Sequence, residues 1–228
     1  MNKYASFWGL LNTENQQCMI GKEEKIIAGA REIFRKEGIK ALTMDEIAKQ
    51  LHVSKKTLYV FFRNREMLLK RCVEDFISED IAVVDEILTN AQDAIEAFCS
   101  ISFRRVQSLR GMSQKYYADL ARHYPEQLTQ FNIHIWTNLL SRYETIIGKG
   151  IKEGLFRSDL DPELVARLYL KKGMTILDKT YFPAEKYETI DVFITDLELF
   201  VRGLTTDKGI ISLETHKCDL KNKVANLA

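Results

Sequence analysis

The residues with the clearest chemistry lie in the range 43–65, where cations, hydroxyls and a phenol alternate with apolar groups. Leu58 and either Phe61 or Phe62 fall on one face of a short helix that begins after Ser54. The opposite face of this helix carries Lys55, Lys56, Thr57 and Tyr59. A short helix with buried apolar anchors and a basic, hydrogen-bonding outer face suits the major groove of DNA.

A second short helix must precede this one and hold it in place. Thr43 is positioned to cap that helix, and Glu46 three residues later completes the pattern of a capping box. Its apolar face is formed by Ile47, Ala48 and Leu51. The turn between the two helices is His52-Val53, and Ser54 can cap the helix that follows. The alternative is two surface helices of an ordinary helical domain with a solvated basic face.

The same segment resembles the DNA-binding signature of the TetR family of bacterial regulators. The matching positions are Thr43, Ile47-Ala48, Val53-Ser54, Leu58-Tyr59, Phe62, Arg65-Glu66 and Leu68. The match is dense over residues 22 to about 70, and beyond them it depends on the layout of helices alone. Two positions that are often glycine in the family are His52 and Lys56 here. We therefore expect a slightly strained but intact turn at His52 and an operator that differs from those of relatives.

The resemblance implies how this segment divides between phosphates and bases. The predicted DNA-binding residues are Thr43, Ser54, Lys55, Lys56, Thr57, Tyr59 and Arg65. Thr43, Tyr59 and Arg65 are expected to contact phosphates, together with backbone N–H groups at the start of the next helix. The residues of the outer helix face, Lys55, Lys56 and Thr57, are expected to contact base edges or adjacent phosphates.

Charge is distributed unevenly along the 228 residues, although the formal net charge is only +1. Residues 20–70 hold 12 Lys and Arg against 7 Asp and Glu, whereas residues 71–228 hold 20 against 24. A basic N-terminal module on a mildly acidic body is typical of DNA binding at one end of a protein. The hydrophobic content of 46% is ample for a packed core.

Other classes of function find little support in the sequence. The four cysteines are widely separated, without a C-x-x-C pair or metal-ligand spacing, so we expect reduced thiols in the cytoplasm and no metal site. No apolar run approaches the ~18 residues that span a bilayer, so no membrane association is expected. The absence of a phosphate loop, paired carboxylates or a nucleophile elbow predicts a protein that is not an enzyme and needs no cofactor.

Helical periodicity predicts an all-α fold. The expected helices cover residues 22–37, two short helices in the range 43–62, then 64–90, 91–109, 113–123, 125–152, 162–181 and 187–204. Four domains follow from this layout. They are an N-terminal extension (1–20), a helix-turn-helix DNA-binding domain (21–66), a helical effector-binding and dimerisation domain (67–204) and a polar C-terminal tail (205–228).

The body of the chain carries a concentration of large aromatic groups. In the resembling family the corresponding helices enclose a pocket for a small molecule, and the last two helices form a dimer interface, where Phe200 is expected here. The predicted effector-binding residues are Phe98, Phe103, Met112, Tyr116, Tyr117, His134 and Trp136. The alternative is that these side chains only fill a core.

These patterns together predict a homodimeric transcriptional regulator of double-stranded operator DNA, a repressor released by a small apolar or aromatic effector. The helix at residues 64–90 is the expected link between effector and DNA. Two alternatives stay open: a constitutive DNA-binding dimer without an effector, and a helical adaptor that binds other proteins. An adaptor would leave the pattern of residues 43–66 unexplained.

Overall fold

The computed structural model describes residues 4–109, 113–173, 181–183 and 185–225, with the side chains of these residues except 4–18, 109, 114 and 217–225. The helices are α1 Tyr4–Glu37, α2 Met44–Gln50, α3 Lys55–Phe61, α4 Arg65–Asn90, α5 Ala94–Leu109, α6 Gln114–His123, α7 Pro125–His134, α8 Leu140–Lys152, α9 Pro162–Gly173, α10 Thr189–Leu204 and α11 Asp207–Ala225. A π-helical turn, Ile135–Leu139, joins α7 to α8. The predicted all-α fold is confirmed, and none of the described helices is long and apolar enough to cross a membrane.

Most predicted helices lie where the periodicity placed them, and the ends of the chain differ. Asn64 caps α4, because its Oδ1 accepts a hydrogen bond from the Met67 amide at 2.9 Å. The expected N-terminal extension instead continues α1, which begins at Tyr4. Residues 207–225, expected to belong to a polar tail, form α11. The predicted helix over residues 162–181 is described only as far as Gly173.

The chain divides into two compact units, which are described separately below. Unit 1 comprises Met1–Ser78 and Gly111–Phe131, and unit 2 comprises Glu79–Arg110 and Asn132–Ala228. The boundary predicted at residue 66 therefore falls inside unit 1. Its physical reason is that the first half of α4 buries Leu68, Leu69, Cys72 and Val73 in the core of unit 1.

The core of unit 1 is formed where α1 meets α2, α3, the start of α4 and α6. The fully buried anchors include Ala30 and Phe34 of α1, Ile47 of α2 and Leu58 of α3. Helix α1 is followed by Gly38, whose φ of +85° is the left-handed conformation typical of a helix C-cap. Helix α6 closes this core with Tyr116, Leu120 and, just after its end, Tyr124. The helix-turn-helix therefore shares a core with residues from the middle of the chain.

The core of unit 2 is formed by the second half of α4 together with α5, α8, α9, α10 and α11. Helix α11 docks through buried Leu213 and through the Asp93 carboxylate, whose Oδ2 accepts from Ser212 Oγ at 2.5 Å and lies 3.3 Å from His216 Nε2. At Gly209 the helix approaches the Leu155 carbonyl so closely that any Cβ would overlap with it. These contacts explain why residues 207–225 are ordered as a helix despite their polar composition.

Candidate functional site: the DNA-facing helix and the aromatic core

Helix α2 begins with the capping box that the sequence predicted. The Thr43 Oγ1 accepts from the Glu46 amide at 3.2 Å, and the Glu46 carboxylate accepts from the Thr43 amide at 2.7 Å. The Thr43 hydroxyl also donates to this carboxylate at 2.8 Å. The hydrogen bonds from Thr43 lower the pKa of Glu46. The hydrogen-bonding capacity of Thr43 is thus largely used within the cap, while its side chain is exposed.

The turn between α2 and α3 adopts the backbone conformation expected for it. His52 has φ +54° and is the one non-glycine residue with positive φ in the described chain. Two backbone hydrogen bonds to α2 hold the turn. The His52 amide donates to the Lys49 carbonyl at 3.2 Å, and the Val53 amide donates to the Ala48 carbonyl at 3.0 Å. The expectation of a strained but intact turn is confirmed, because histidine here occupies the left-handed region that favours glycine.

Helix α3 has the predicted inner face and N-cap. The Ser54 Oγ accepts from the Thr57 amide at 3.0 Å, and the Ser54 and Thr57 hydroxyls lie 2.7 Å apart. Leu58 is fully buried and Phe62 is 1% exposed, whereas Phe61 is half-buried. Phe62 is therefore the second apolar anchor. These anchors fix which face of α3 points outward.

The outward face of α3 carries Lys55, Lys56 and Tyr59, all exposed, with Thr57 half-buried beside them. Lys56 has no ion pair with any described residue, whereas the Lys55 Nζ lies 2.8 Å from Asp45 Oδ2 of α2. The Asp45 carboxylate raises the pKa of Lys55. Val60, 61% exposed, lies on the same helix and was not among the predicted contacts. The predicted contacts are all polar or charged residues, so an apolar side chain such as Val60 was not among them.

Arg65, predicted to contact phosphate, is engaged inside unit 1. Its Nη1 donates to the carbonyls of Lys40 and Leu42 at 2.9 Å each and lies 3.4 Å from the Ile39 carbonyl. Its guanidinium also stands 5.9 Å from the Tyr124 ring. The side chain is 25% exposed. This geometry makes Arg65 a brace for the loop that leads into α2, and a phosphate contact through its remaining donors stays a prediction.

The same loop is held from the other side by Asp119 of α6, a residue that the sequence did not single out. Asp119 Oδ2 accepts from the Ile39 amide at 2.7 Å and from the Lys40 amide at 2.8 Å. Burial alone would raise the pKa of Asp119, but the hydrogen bonds from these amides and the nearby charges of Lys115 and His123 outweigh it, so the pKa is lowered. The loop that leads into α2 is therefore held by hydrogen bonds with both Arg65 of α4 and Asp119 of α6.

The predicted effector-binding residues are divided between the two units. Phe98, Phe103, His134 and Trp136 belong to unit 2, whereas Tyr116 and Tyr117 belong to unit 1 and Met112 lies outside the described residues. Tyr116 is 5% exposed within the core of unit 1, and Tyr117 is 40% exposed on the same helix. The structure thus brings four of the seven residues into one unit.

Unit 2 contains a dense aromatic cluster around Phe98, which we call the aromatic core. The Phe98 ring centroid lies 4.7 Å from that of Tyr169, 5.0 Å from Tyr143 and 6.2 Å from Phe200. Phe200, predicted at a dimer interface, is half-buried and also lies 4.9 Å from Tyr169. Its inner contacts place it against this core. Tyr143 and Tyr169 were not among the predicted effector-binding residues, although both pack directly against Phe98.

His134 lies beside the π-helical turn in a buried polar pair. Its Nε2 is 2.9 Å from Asp80 Oδ2, and its Nδ1 is 3.3 Å from the Asn138 amide nitrogen. Since the Asn138 Nδ2 can only donate, Nδ1 is the acceptor and Nε2 carries the proton that is given to Asp80. Both ring nitrogens are therefore satisfied within unit 2, and an effector contact by His134 stays a prediction.

A capped helix-turn-helix with an exposed basic second helix, carried by an all-helical chain, defines a DNA-binding transcriptional regulator. Residues 26–72 match the family described as bacterial regulatory proteins, tetR family. The helix-turn-helix region of the chain is therefore of the TetR type, as the sequence resemblance indicated.

Individual relatives extend the similarity over most of the chain. The chain is 29% identical over 199 residues to the HTH-type transcriptional regulator YhgD of Bacillus subtilis strain 168, covering 82% of this chain and 99% of YhgD. It is 24% identical over 193 residues to the HTH-type transcriptional repressor KstR2 of Mycolicibacterium smegmatis, covering 82% and 93%. The structure of FadR from Bacillus subtilis in complex with stearoyl-CoA superposes with a TM-score of 0.60 at 22% identity, covering 79% and 98%.

Proposed function

We propose that this chain is a homodimeric repressor that reads operator DNA with α3 and releases it when a small molecule binds in unit 2. The observation that carries the proposal is the outward face of α3, where Lys55, Lys56, Tyr59 and Val60 are exposed on a helix anchored by Leu58. A helix of this kind fits the major groove, with its N-terminal residues against base edges.

The residues divide into readers and supports. Lys56 and Val60 are the proposed base readers, because Lys56 is an exposed cation without an ion pair to any described residue and Val60 is an exposed apolar group on α3. Tyr59 and Lys55 are proposed to contact phosphates or neighbouring bases. Thr43 and Ser54 are held by their caps, so their contribution to DNA binding comes chiefly through the placement of the helix N-termini and the backbone amides there.

The effector is proposed to bind at the aromatic core of unit 2. Phe98 and Phe103 are buried there, and Trp136 packs against the same cluster. An apolar wall with a few oriented polar groups is the usual character of a small-molecule site. The relative FadR, solved in complex with stearoyl-CoA, supports the proposal that such a ligand binds within this fold. By linkage, an effector that weakens operator binding is itself bound more weakly in the presence of operator.

The dimer is proposed to form through α9 and α10, the last helix pair before α11. Leu164 and Leu168 of α9 and Leu199 of α10 are 54%, 56% and 69% exposed, which leaves apolar side chains of both helices uncovered. Two symmetry-related α3 helices would then read two half-sites spaced about 34–36 Å or a multiple apart. This spacing makes a twofold operator the expected target.

The decisive experiment is selection of DNA by the pure protein from a random pool, followed by retardation of the selected fragment at several salt concentrations. A palindromic site whose affinity falls steeply with salt supports the proposal. Retardation is then repeated with compounds that raise the melting temperature of the protein. Stabilising compounds that never change operator affinity would leave a constitutive DNA-binding dimer, and failure to select any DNA would refute the proposal.

A further inference from the structure

Arg105 of α5 differs from the other described arginines of unit 2. Each of those is within 4.0 Å of a carboxylate, in the pairs Arg104–Glu79, Arg142–Asp85, Arg157–Asp159, Arg167–Glu163 and Arg202–Glu198. Arg105 is half-buried and forms no ion pair with any described residue. A guanidinium withdrawn from water without an anion is costly, and proteins rarely retain one without a partner.

Asp80 pairs with His134 and forms no ion pair with Arg105. Asp80 is close enough to influence the Tyr143 phenol electrostatically, but its carboxylate is held by His134 Nε2 at 2.9 Å. Both residues of this pair are buried. Arg105 lies instead beside the aromatic core: its Nη1 is 4.0 Å from the position that a Cβ on Gly173 of α9 would take, and its charge opposes the rise in the pKa of Tyr143 and of Tyr169.

A chain of hydrogen bonds beside Arg105 joins the Phe98 carbonyl, the Ser102 hydroxyl and the Tyr143 hydroxyl. Ser102 Oγ donates its single proton to the Phe98 carbonyl at 2.6 Å, so the Tyr143 hydroxyl, 3.1 Å away, must donate to Ser102. The Tyr143 oxygen is then left to accept, and the neighbouring Arg105 guanidinium is a donor on that side. Burial raises the pKa of Tyr143, and the charge of Arg105 offsets part of this rise. None of the described carboxylates forms an ion pair with the Arg105 guanidinium.

From this arrangement we infer that Arg105 is the anchor for an anionic head group, and that the effector is an amphipathic anion whose apolar part packs against the aromatic core. The inference rests on the proposed effector-binding function of unit 2. A planar guanidinium binds carboxylate and phosphate oxygens in a bidentate fashion, so both head groups satisfy it. The Phe98, Tyr169 and Phe200 rings, with centroids 4.7–6.2 Å apart, provide the apolar surface beside it.

The probes are four small molecules that separate charge from chain: decanoate, decyl phosphate, decan-1-ol and inorganic phosphate. Binding to the full chain is measured by titration calorimetry and by Trp136 fluorescence. The variants are Arg105→Gln, Arg105→Lys and the matched control Arg104→Gln. Arg104 is the neighbouring residue of the same helix, but it pairs with Glu79 at 3.1 Å. Thermal unfolding of each variant confirms that it is folded.

The expected result is that the unaltered chain binds decanoate or decyl phosphate at least about tenfold more tightly than decan-1-ol, since charge-assisted hydrogen bonds are the strong ones. Whichever anion binds more tightly identifies the head group. Arg105→Gln removes this preference without changing decan-1-ol binding, Arg105→Lys keeps part of it, and Arg104→Gln keeps all of it. Binding of inorganic phosphate alone is weak, because the apolar contacts are missing.

Three results would overturn the inference: no preference for an anion in the unaltered chain, the same preference in Arg105→Gln, or an equal loss in Arg104→Gln. DNA retardation without probe separates this inference from the proposed function. If the unaltered chain binds anions through Arg105 but retards no DNA, the repressor proposal fails and the anion site stands. If DNA is retarded but no anion preference exists, only the anion site fails.

Discussion

Replacement of Asp119 by alanine tests whether α6 holds the loop before α2, the first helix of the helix-turn-helix. In the native protein one carboxylate oxygen accepts from the Ile39 and Lys40 amides at 2.7 and 2.8 Å, although the two residues lie about 80 positions away in sequence. Asp119 is 8% exposed, so water cannot readily replace it. The alanine variant therefore leaves two amide donors of the loop before α2 without their acceptor.

The size of the effect follows from these two bonds. A buried donor left unsatisfied costs about 1–3 kcal/mol, so we expect the free energy of unfolding to fall by about 2–4 kcal/mol, the Lys40 amide being the less buried of the two. Asp119→Asn keeps a neutral acceptor in place and should lose about 1 kcal/mol. Operator affinity should fall in both variants, because the loop sets the start of α2.

The pH dependence has a definite sign. The folded-state pKa of Asp119 is lowered, so its carboxylate contributes stability that is fully present above the unfolded pKa of about 3.9 and is lost as the pH falls through the folded value. The difference in unfolding free energy between the native chain and Asp119→Asn should therefore be constant near neutral pH and shrink below about pH 4.

Urea unfolding followed by circular dichroism at pH 7 and at a series of acidic values measures these differences. Asp159→Ala is the matched control, because its carboxylate is 74% exposed and pairs with Arg157 on the surface. We expect this control to change stability by no more than about 0.5 kcal/mol. An Asp119→Ala variant as stable as the control, or an Asp119→Asn difference that persists unchanged at acidic pH, would refute the reasoning.

Three further predictions concern the reader and the dimer. His52→Gly should stabilise unit 1 by about 0.5–1 kcal/mol in urea unfolding, because glycine adopts φ +54° without a Cβ penalty; no gain would mean that the imidazole makes a compensating contact. Asp45→Asn should release Lys55 for a phosphate contact, so the slope of log affinity against log salt concentration should steepen by about 0.9. If the slope changes equally in a Lys55→Gln background, the effect is repulsion between Asp45 and the DNA and does not involve Lys55. Leu199→Asp should yield folded monomers in light scattering, since this side chain is 69% exposed, whereas an intact dimer would place the interface elsewhere.

Local features of the fold were predictable from the sequence because their signals are local. The capping box of Thr43 and Glu46 lies within four residues, and the positive φ of His52 follows from the position of one residue in a turn. The inner face of α3 followed from helical spacing, which identified Leu58. Such patterns depend on neighbours along the helix, so a single sequence contains all that is needed to read them.

The supports of the site were not predictable, since they join distant residues. Nothing near Asp119 indicates that it accepts from amides about 80 residues earlier, and Arg65 looked like a phosphate contact because its carbonyl partners carry no side-chain signal. Tyr116 read as a pocket residue, yet it is buried in unit 1. Aromatic type does not show where a side chain will lie: Tyr116 is buried in the core of unit 1, whereas its neighbour Tyr117 is 40% exposed.

The docking of α11 has a consequence for the order in which the protein can fold during synthesis. Unit 1 has every described residue of its core once Phe131 has been made, whereas unit 2 still lacks Leu213 and the partners of Asp93 at that point. The Leu155 carbonyl, which lies against Gly209 of α11, has no such contact until α11 has been synthesised, and α11 is the last of the described elements. Domains generally fold as units in the order of synthesis. A chain that stops before Asp207 would therefore have the complete core of unit 1, whereas its unit 2 would lack Leu213 and the partners of Asp93.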